Sequence, residues 1–310
     1  MRTYTTYIFS FFLSCFLFIG QASGRNLVVV TTTTMITDLL KQVGGPDIQI
    51  LSLMGVGTDP HLYKPTARDV QKMRLADLIF YNGLHLEGRM EDVLHNMQKR
   101  NPGAIKALGM TIAPSSILYV DAAHKHPDPH IWFDVPLWSS CIDVVANTLA
   151  ENDPIHAAAF LERGAKLKER YAALHQWAMD RIGQLAPEKR ILVTSHDAYG
   201  YFGRAYGFEV KGVQGISTMT EAGLADVTQM VDFVKKHAIK AIFVESSVSP
   251  AVIERISKDA GAQIGGELYS DSLGSPKENF VDPSTQEAYA LDTYEGVVRY
   301  NIETIVKSLE

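Results

Sequence analysis

Cysteine is nearly missing from this chain of 310 residues, which carries only Cys15 and Cys141. Cys15 sits in an N-terminal apolar run, so once that run is removed Cys141 stands alone and no internal disulfide can form. Stability must then come from packing or from a ligand. Clustered positive charge is also missing: the formal net charge is −6, and without massed Lys and Arg there is no surface to neutralise phosphates, which argues against a nucleic-acid partner. Beyond residue 24 no apolar stretch approaches the roughly 20 residues that a membrane helix needs. What is present is ordinary globular composition, 46% apolar and 21% charged, with enough hydrophobic residues for two cores.

The opening, "MRTYTTYIFSFFLSCFLFIGQASG", has Arg2, an apolar stretch from Ile8 to Ile19 and small residues at its end. That is the layout of a cleaved secretory signal, with Ala22 and Gly24 marking cleavage before Arg25. A lipid anchor at Cys15 is not expected, because Phe12 stands three residues before it and the apolar run continues past it. The mature chain is therefore expected to be periplasmic, exported and unanchored.

From residue 26 short apolar runs alternate with helical ones. "NLVVVTTTT", "DIQILSLM" and "ADLIFYNG" read as strands, and "MITDLLKQVGG" and "LEGRMEDVLHNMQKR" as helices. The second half repeats the alternation, with "RILVTSH", "FEVKGV", "AIFVESS" and "AQIGGELYS" as strands. Strand, helix, strand implies a parallel sheet. The fold class is α/β, with two lobes that each carry a parallel sheet flanked by helices. Between them Leu167, Tyr171, Leu174, Ala178, Ile182 and Leu185 recur at helical spacing between Pro154 and Pro187. This predicts one rigid helix of about thirty residues, roughly 45 Å long, with Gly164 as the mark against its continuity. The expected division is a signal peptide over 1–24, an N-terminal lobe over 25–152, the connecting helix over 153–187 and a C-terminal lobe over 188–310. The segment 273–293, rich in Pro, Ser and acids, reads as a surface loop.

Open α/β sheets bind ligands at the C-terminal ends of their strands. Four polar residues fall at such places or in the loops after them: His61, His130, His196 and Asp271. Thr66 and Asp69, just after His61, fit a capping box. Three imidazoles and a carboxylate suit a divalent first-row transition metal rather than calcium or magnesium, which prefer oxygen alone. Spacing does not decide the matter, since a strand-end histidine is also an ordinary hydrogen-bonded structural residue.

The motifs "GTDPHLYKPTARDV", "ADLIFYNGLHLE", "DPHIWFDVPLWS", "VTSHDAYGYFGRAYGFEVKGVQGIST", "IFVESS" and "QIGGELYSDSLG" resemble, in order from about residue 26 to the C-terminus, the metal-binding solute receptors of ABC importers, the TroA/ZnuA/PsaA family, and its TroA type most of all. The resemblance implies two lobes joined by one rigid helix, with a metal held in the cleft by both. The family's first histidine, in D-P-H-x-Y, maps to His61 and its second, in D-P-H-x-W, to His130. The third position falls on His196 and the final aspartate, in Y-S-D, on Asp271. Manganese-selective members carry a glutamate at the third position, so His196 departs from them and resembles the zinc-capable TroA and ZnuA types. The zinc-dedicated type also carries a long histidine-rich loop before the second ligand, of which "AHKHPDPH" retains only His124 and His126.

The implied function is capture of one Zn²⁺ or Mn²⁺ per chain, as transported ligand, by a monomer that delivers it to an ABC permease and its ATPase without catalysing a reaction. The alternative from another class is a secreted zinc hydrolase, with three histidines on the metal and Asp271 as base. The remaining histidines take plainer readings: packing or capping for His85, exposed surface for His95, His156, His175 and His237, and a solvated loop for His124 and His126. Glu245, at a strand end, is either a hydrogen-bond partner of a ligand imidazole or a structural acid.

Overall fold

Runs of β-branched residues set the strands and glycine-ended amphipathic runs set the helices. The computed structural model describes residues 25–101, 103–120 and 126–310. The first lobe runs β1 (Leu27–Thr31), α1 (Thr34–Gly44), β2 (Ile48–Ser52), α2 (Ala67–Leu75), β3 (Leu78–Tyr81), α3 (Glu91–Arg100), β4 (Ile105–Ala107) and α4 (Val135–Asn152). Its four strands are parallel in the order β2-β1-β3-β4, with Val29 opposite Ile50 on one side and Leu78 on the other. All four residues of β3 are buried, as a strand covered on both faces requires.

The connecting helix is α5 (Ala157–Gly183), 27 residues, about 40 Å at the α-helical rise. Gly164 does not break it. A Cβ there would lie 3.1 Å from the Ala146 Cβ, so the glycine lets α4 approach α5 closely. The second lobe follows with β5 (Ile191–His196), α6 (Gly200–Tyr206), β6 (Glu209–Gln214), α7 (Leu224–Lys236), β7 (Ala241–Glu245), α8 (Ala251–Ala260), β8 (Gln263–Leu268), β9 (Asn279–Val281), β10 (Ala288–Ala290) and α9 (Tyr294–Leu309). β5 pairs with β6 and β7 with β8, each pair parallel, and β5 lies beside β7. The resulting order, β6-β5-β7-β8, repeats that of the first lobe.

The structure departs from the sequence reading in three elements. The expected surface loop 273–293 contains the antiparallel hairpin β9–β10, with Phe280 opposite Tyr289. Its short strands are held by side chains far away in sequence: Phe280 meets the Tyr300 ring, and Arg299 lies over both Tyr289 and Trp177. Behind His130, where only a small apolar segment was expected, the 18-residue α4 begins. Asp134 caps it by accepting from the Leu137 amide at 3.0 Å. The short strand β4 was also not anticipated. The readings of the signal peptide and of Cys15 and His124 fall outside the described residues.

One continuous apolar core links the lobes. It includes Val29 and Ile36 of the first lobe, Leu167, Leu174 and Ile182 of α5, Phe243 and Leu268 of the second lobe, and Ile302 and Ile305 of α9. α5 is therefore a shared core element rather than a tether, and it fixes how the strand ends of the two lobes face each other.

Candidate metal centre

Each of the four sequence-selected residues is set in place by local hydrogen bonding. His61 stands in the loop after β2. Asp59 Oδ1 accepts its backbone N–H at 2.8 Å, an Asx turn across the intervening proline. The capping box at the start of α2 holds the far side of this loop, with Asp69 Oδ2 accepting from the Thr66 amide at 2.9 Å and the Asp69 amide donating to the Thr66 hydroxyl at 3.3 Å. His130 repeats the Asx turn with Asp128, whose Oδ1 accepts the backbone N–H at 2.9 Å and lies 2.8 Å from ring Nδ1. His196 ends β5 and is gripped by Glu245 at the end of the neighbouring β7. One carboxylate oxygen accepts the His196 backbone N–H at 2.8 Å, and the other lies 2.6 Å from Nδ1. Asp271 follows β8, and the carbonyl of the preceding Ser270 accepts from the Trp132 indole at 3.0 Å.

These supports bring the four side chains together. One ligand atom from each of His61, His130, His196 and Asp271 lies within 4.8 Å of all the others, and all four residues are buried. Nε2 of His61 is 3.3 Å from Nε2 of His130, Nε2 of His196 is 3.3 Å from Asp271 Oδ2, and Nε2 of His130 is 3.4 Å from Asp271 Oδ1. A tetrahedral ion with bonds of about 2.0–2.1 Å requires ligand–ligand edges of about 3.3–3.4 Å. The His61–Asp271 separation is longer, 3.8 Å. Both carboxylate oxygens and His196 Nε2 are buried with no hydrogen-bond partner, an expensive arrangement unless a cation satisfies them. A carboxylate only accepts, so Asp128 and Glu245 fix the N–H of their imidazoles on Nδ1 and leave Nε2 to ligate.

The electrostatics fit a site that holds positive charge. Burial works against protonation of His130, but the bonds and charges of Asp128 and Asp271 outweigh it and hold its pKa up to about 9. His196 is likewise held well above the usual imidazole value by Glu245 and Asp271 despite its burial. Burial pushes His61 down to about 3, with the neighbouring imidazoles acting in the same direction and Asp271 opposing them. Asp271 stays well below the carboxylate range despite burial because His196 and His130 face it. Without a metal, protons on two imidazoles do part of the cation's work.

The other histidines lie apart from this cluster. His85 is neither packed nor a cap. It is 74% exposed, with Nδ1 2.6 Å from Glu91 Oε2. His95 and His237 are exposed, as expected. His156 and His175 are half-buried instead, His156 beside Asp153 at 2.6 Å and His175 with Nδ1 3.4 Å from the Tyr206 hydroxyl. Two supporting residues escaped the sequence reading, Asp59 and Asp128. The signal was in the text: each precedes its histidine by two residues in the repeated Asp-Pro-His.

The chain matches the family described as "ZnuA: Zinc-uptake complex component A periplasmic" over residues 29–308. It is 40% identical over 296 residues to the manganese-binding lipoprotein MntA of Bacillus subtilis, covering 94% of this chain and 92% of that one. It is 41% identical over 295 residues to the zinc-binding protein TroA of Treponema pallidum, covering 94% and 91%. The solved structure of that periplasmic zinc-binding TroA superposes with a TM-score of 0.83 at 39% identity, over 92% of this chain and 99% of the other. With two lobes about one helix and a match running nearly end to end, the chain belongs to the ZnuA family of periplasmic metal-uptake components.

Proposed function

We propose that this chain is the extracytoplasmic receptor of an ABC importer, which captures one Zn²⁺ or Mn²⁺ through His61, His130, His196 and Asp271 and delivers it to a membrane permease driven by an ATPase. The observation that carries the reading is the convergence of four buried ligand groups on one point, at distances that suit a first-row ion. The relatives support both metals, one being named for manganese and one for zinc. Affinity order at a nitrogen-rich site favours zinc. The two oxygens of Asp271, each turned toward a ligand imidazole, add a fifth donor that suits manganese.

No reaction is assigned. The hydrolase alternative needs Asp271 to stand off as a base beside room for a substrate, yet Asp271 is enclosed among the three imidazoles. The proposed division keeps an N-terminal lobe over 25–152, the helical connection over 153–187 and a C-terminal lobe over 188–310. The receptor works as a monomer and has no nucleic-acid partner. Export with cleavage before Arg25 is part of the proposal, and mass spectrometry of the mature chain from soluble and membrane fractions tests it. MntA is named a lipoprotein, and an anchored chain would appear in the membrane fraction with its N-terminus at Cys15.

Calorimetric titration of the metal-free protein with Zn²⁺ and Mn²⁺ tests the function. One ion per chain is expected, with a rise in thermal stability. Hydrolysis of model esters or peptides by the loaded protein would favour the rival.

A further inference from the structure

Three of the four ligand residues are sealed inside the molecule, but His61 also forms part of the wall of a cavity of about 480 Å³. Its lining brings together His85, His126, Val120 and, from the second lobe, Ile216 and Ser217. His61 differs from its fellow ligands in a second way. Carboxylates hold Nδ1 of His130 and His196, whereas no group among the described residues bonds Nδ1 of His61. The ligand on the cavity side is thus the one whose ring is free to turn.

Resting on the receptor reading above, we propose that this cavity is a transit site for the divalent transition cation, where His85 and His126 hold the ion between solvent and His61. Two exposed imidazoles make a weak site, which a waypoint requires: an ion held there keeps most of its water and moves on. His85 is built for the task. Its Nδ1 lies 2.6 Å from Glu91 Oε2, the same carboxylate–imidazole pairing that orients His130 and His196, and this leaves Nε2 as the ring's lone pair.

The backbone supplies an independent sign. Gly83, Leu84 and His85 are consecutive left-handed residues, with φ of 75°, 55° and 68°. Leucine and histidine in that region are strained, and such strain persists where the surroundings enforce it. Here buried Glu87 enforces it, accepting from the amides of Asn82 at 2.6 Å and Gly83 at 3.0 Å and from the Thr32 hydroxyl at 2.8 Å. The same loop presses on the ligand, since a Cβ at Gly88 would lie 2.5 Å from the His61 carbonyl oxygen. The loop that presents His85 therefore abuts the backbone of His61.

A group that holds the ion in transit lowers the barrier in both directions without changing the final site. The test mixes Zn²⁺ on a chromophoric chelator with excess metal-free protein to time uptake, and strips the loaded protein with excess chelator to time release. In the His85→Ala/His126→Ala double variant both rates should fall about tenfold, the low end of what local ion concentration gives. The dissociation constant should stay within about twofold, because the four enclosed ligands set it. His95→Ala, an exposed histidine on α3 outside the cavity, should leave both rates unchanged. Unchanged rates in the double variant would overturn the proposal, as would faster release with weakened affinity, which would make these histidines part of the final site. Failure of the wild-type protein to take up Zn²⁺ would instead overturn the receptor reading itself. The two replaced side chains are exposed, so matching melting curves verify that the variant folds.

Discussion

At the scale of single residues, the centre is a set of lone pairs aimed by carboxylates, and this ranks the substitutions. Glu245→Gln keeps the shape of the side chain but loses the charge that orients His196, so zinc affinity should fall by about 10- to 100-fold, the usual effect of an outer-shell partner. His196→Ala removes a donor outright and should cost more than that, whereas His126→Ala should leave the equilibrium constant nearly unchanged. Isothermal titration of the three variants checks the order, and equal losses at His196 and His126 would contradict it. The proton bookkeeping gives a second prediction. The folded pKa of His130, about 9, is raised above the ordinary 6.5, so its contribution to the stability of the metal-free protein is complete below pH 6.5 and is lost as the pH rises through 9. A bound metal replaces that proton, so the melting temperature of the metal-free protein should drop between pH 7 and 9.5 while that of the loaded protein holds. Zinc binding at pH 7 should also release protons, seen as a buffer-dependent heat. The ligands themselves were legible as strand-end polar residues, but strand ends alone did not separate a ligand from a structural histidine. The motif context did, and the supporting Asp59 and Asp128 stayed hidden because their role is a turn, visible only when the backbone closes.

At the scale of elements, periodicity located most strands and helices because each buries a continuous face. What it missed depends on partners distant in sequence. β9 and β10 are three residues each, too short for alternation to register, and they exist because Arg299, Trp177 and Tyr300 pack against them. Gly164 misled for a related reason: its low helix propensity is a local property, but its use is a close approach between two helices. Gly164→Leu should therefore destabilise the protein by about 1–3 kcal/mol through overpacking against Ala146 and Ile142, even though leucine is the better helix former. Urea denaturation checks this, and a stabilised variant would mean that α4 and α5 are not closely packed. The loop at 82–88 is the converse case, a local strain held by one buried acid. Glu87→Ala would leave the Asn82 and Gly83 amides and the Thr32 hydroxyl without their acceptor, at about 1–3 kcal/mol for each group left buried and unpaired. The same denaturation series reads that loss.

At the scale of the molecule, the question is whether the lobes swing apart to release the ion. The bonds across the cleft answer it. The Trp132 indole donates to the Ser270 carbonyl at 3.0 Å, the Tyr294 hydroxyl to the Trp132 carbonyl at 2.6 Å, and the Tyr201 hydroxyl to the Asp128 carbonyl at 3.0 Å. Nearer the surface, the Thr218 hydroxyl donates to Asp59 Oδ2 at 2.6 Å and the Gly57 amide to the Ser272 hydroxyl at 2.8 Å. Wide opening would break the buried members of this set and split a core that runs through α5, a penalty comparable to the few kcal/mol by which a domain is stable at all. Exchange must then proceed by a local change, and the loop 55–66 is suited to it. It carries His61, the ligand without a carboxylate at Nδ1, and it is fastened to the second lobe by the Thr218 and Ser272 contacts near the surface. The metal-free and metal-loaded proteins should therefore give superimposable small-angle scattering curves. Hydrogen exchange should differ between the two forms chiefly in the amides of residues 55–66 and of the Thr218 segment. A large drop in the radius of gyration on loading would require the lobes to hinge, and α5 would then have to bend against the core that surrounds it.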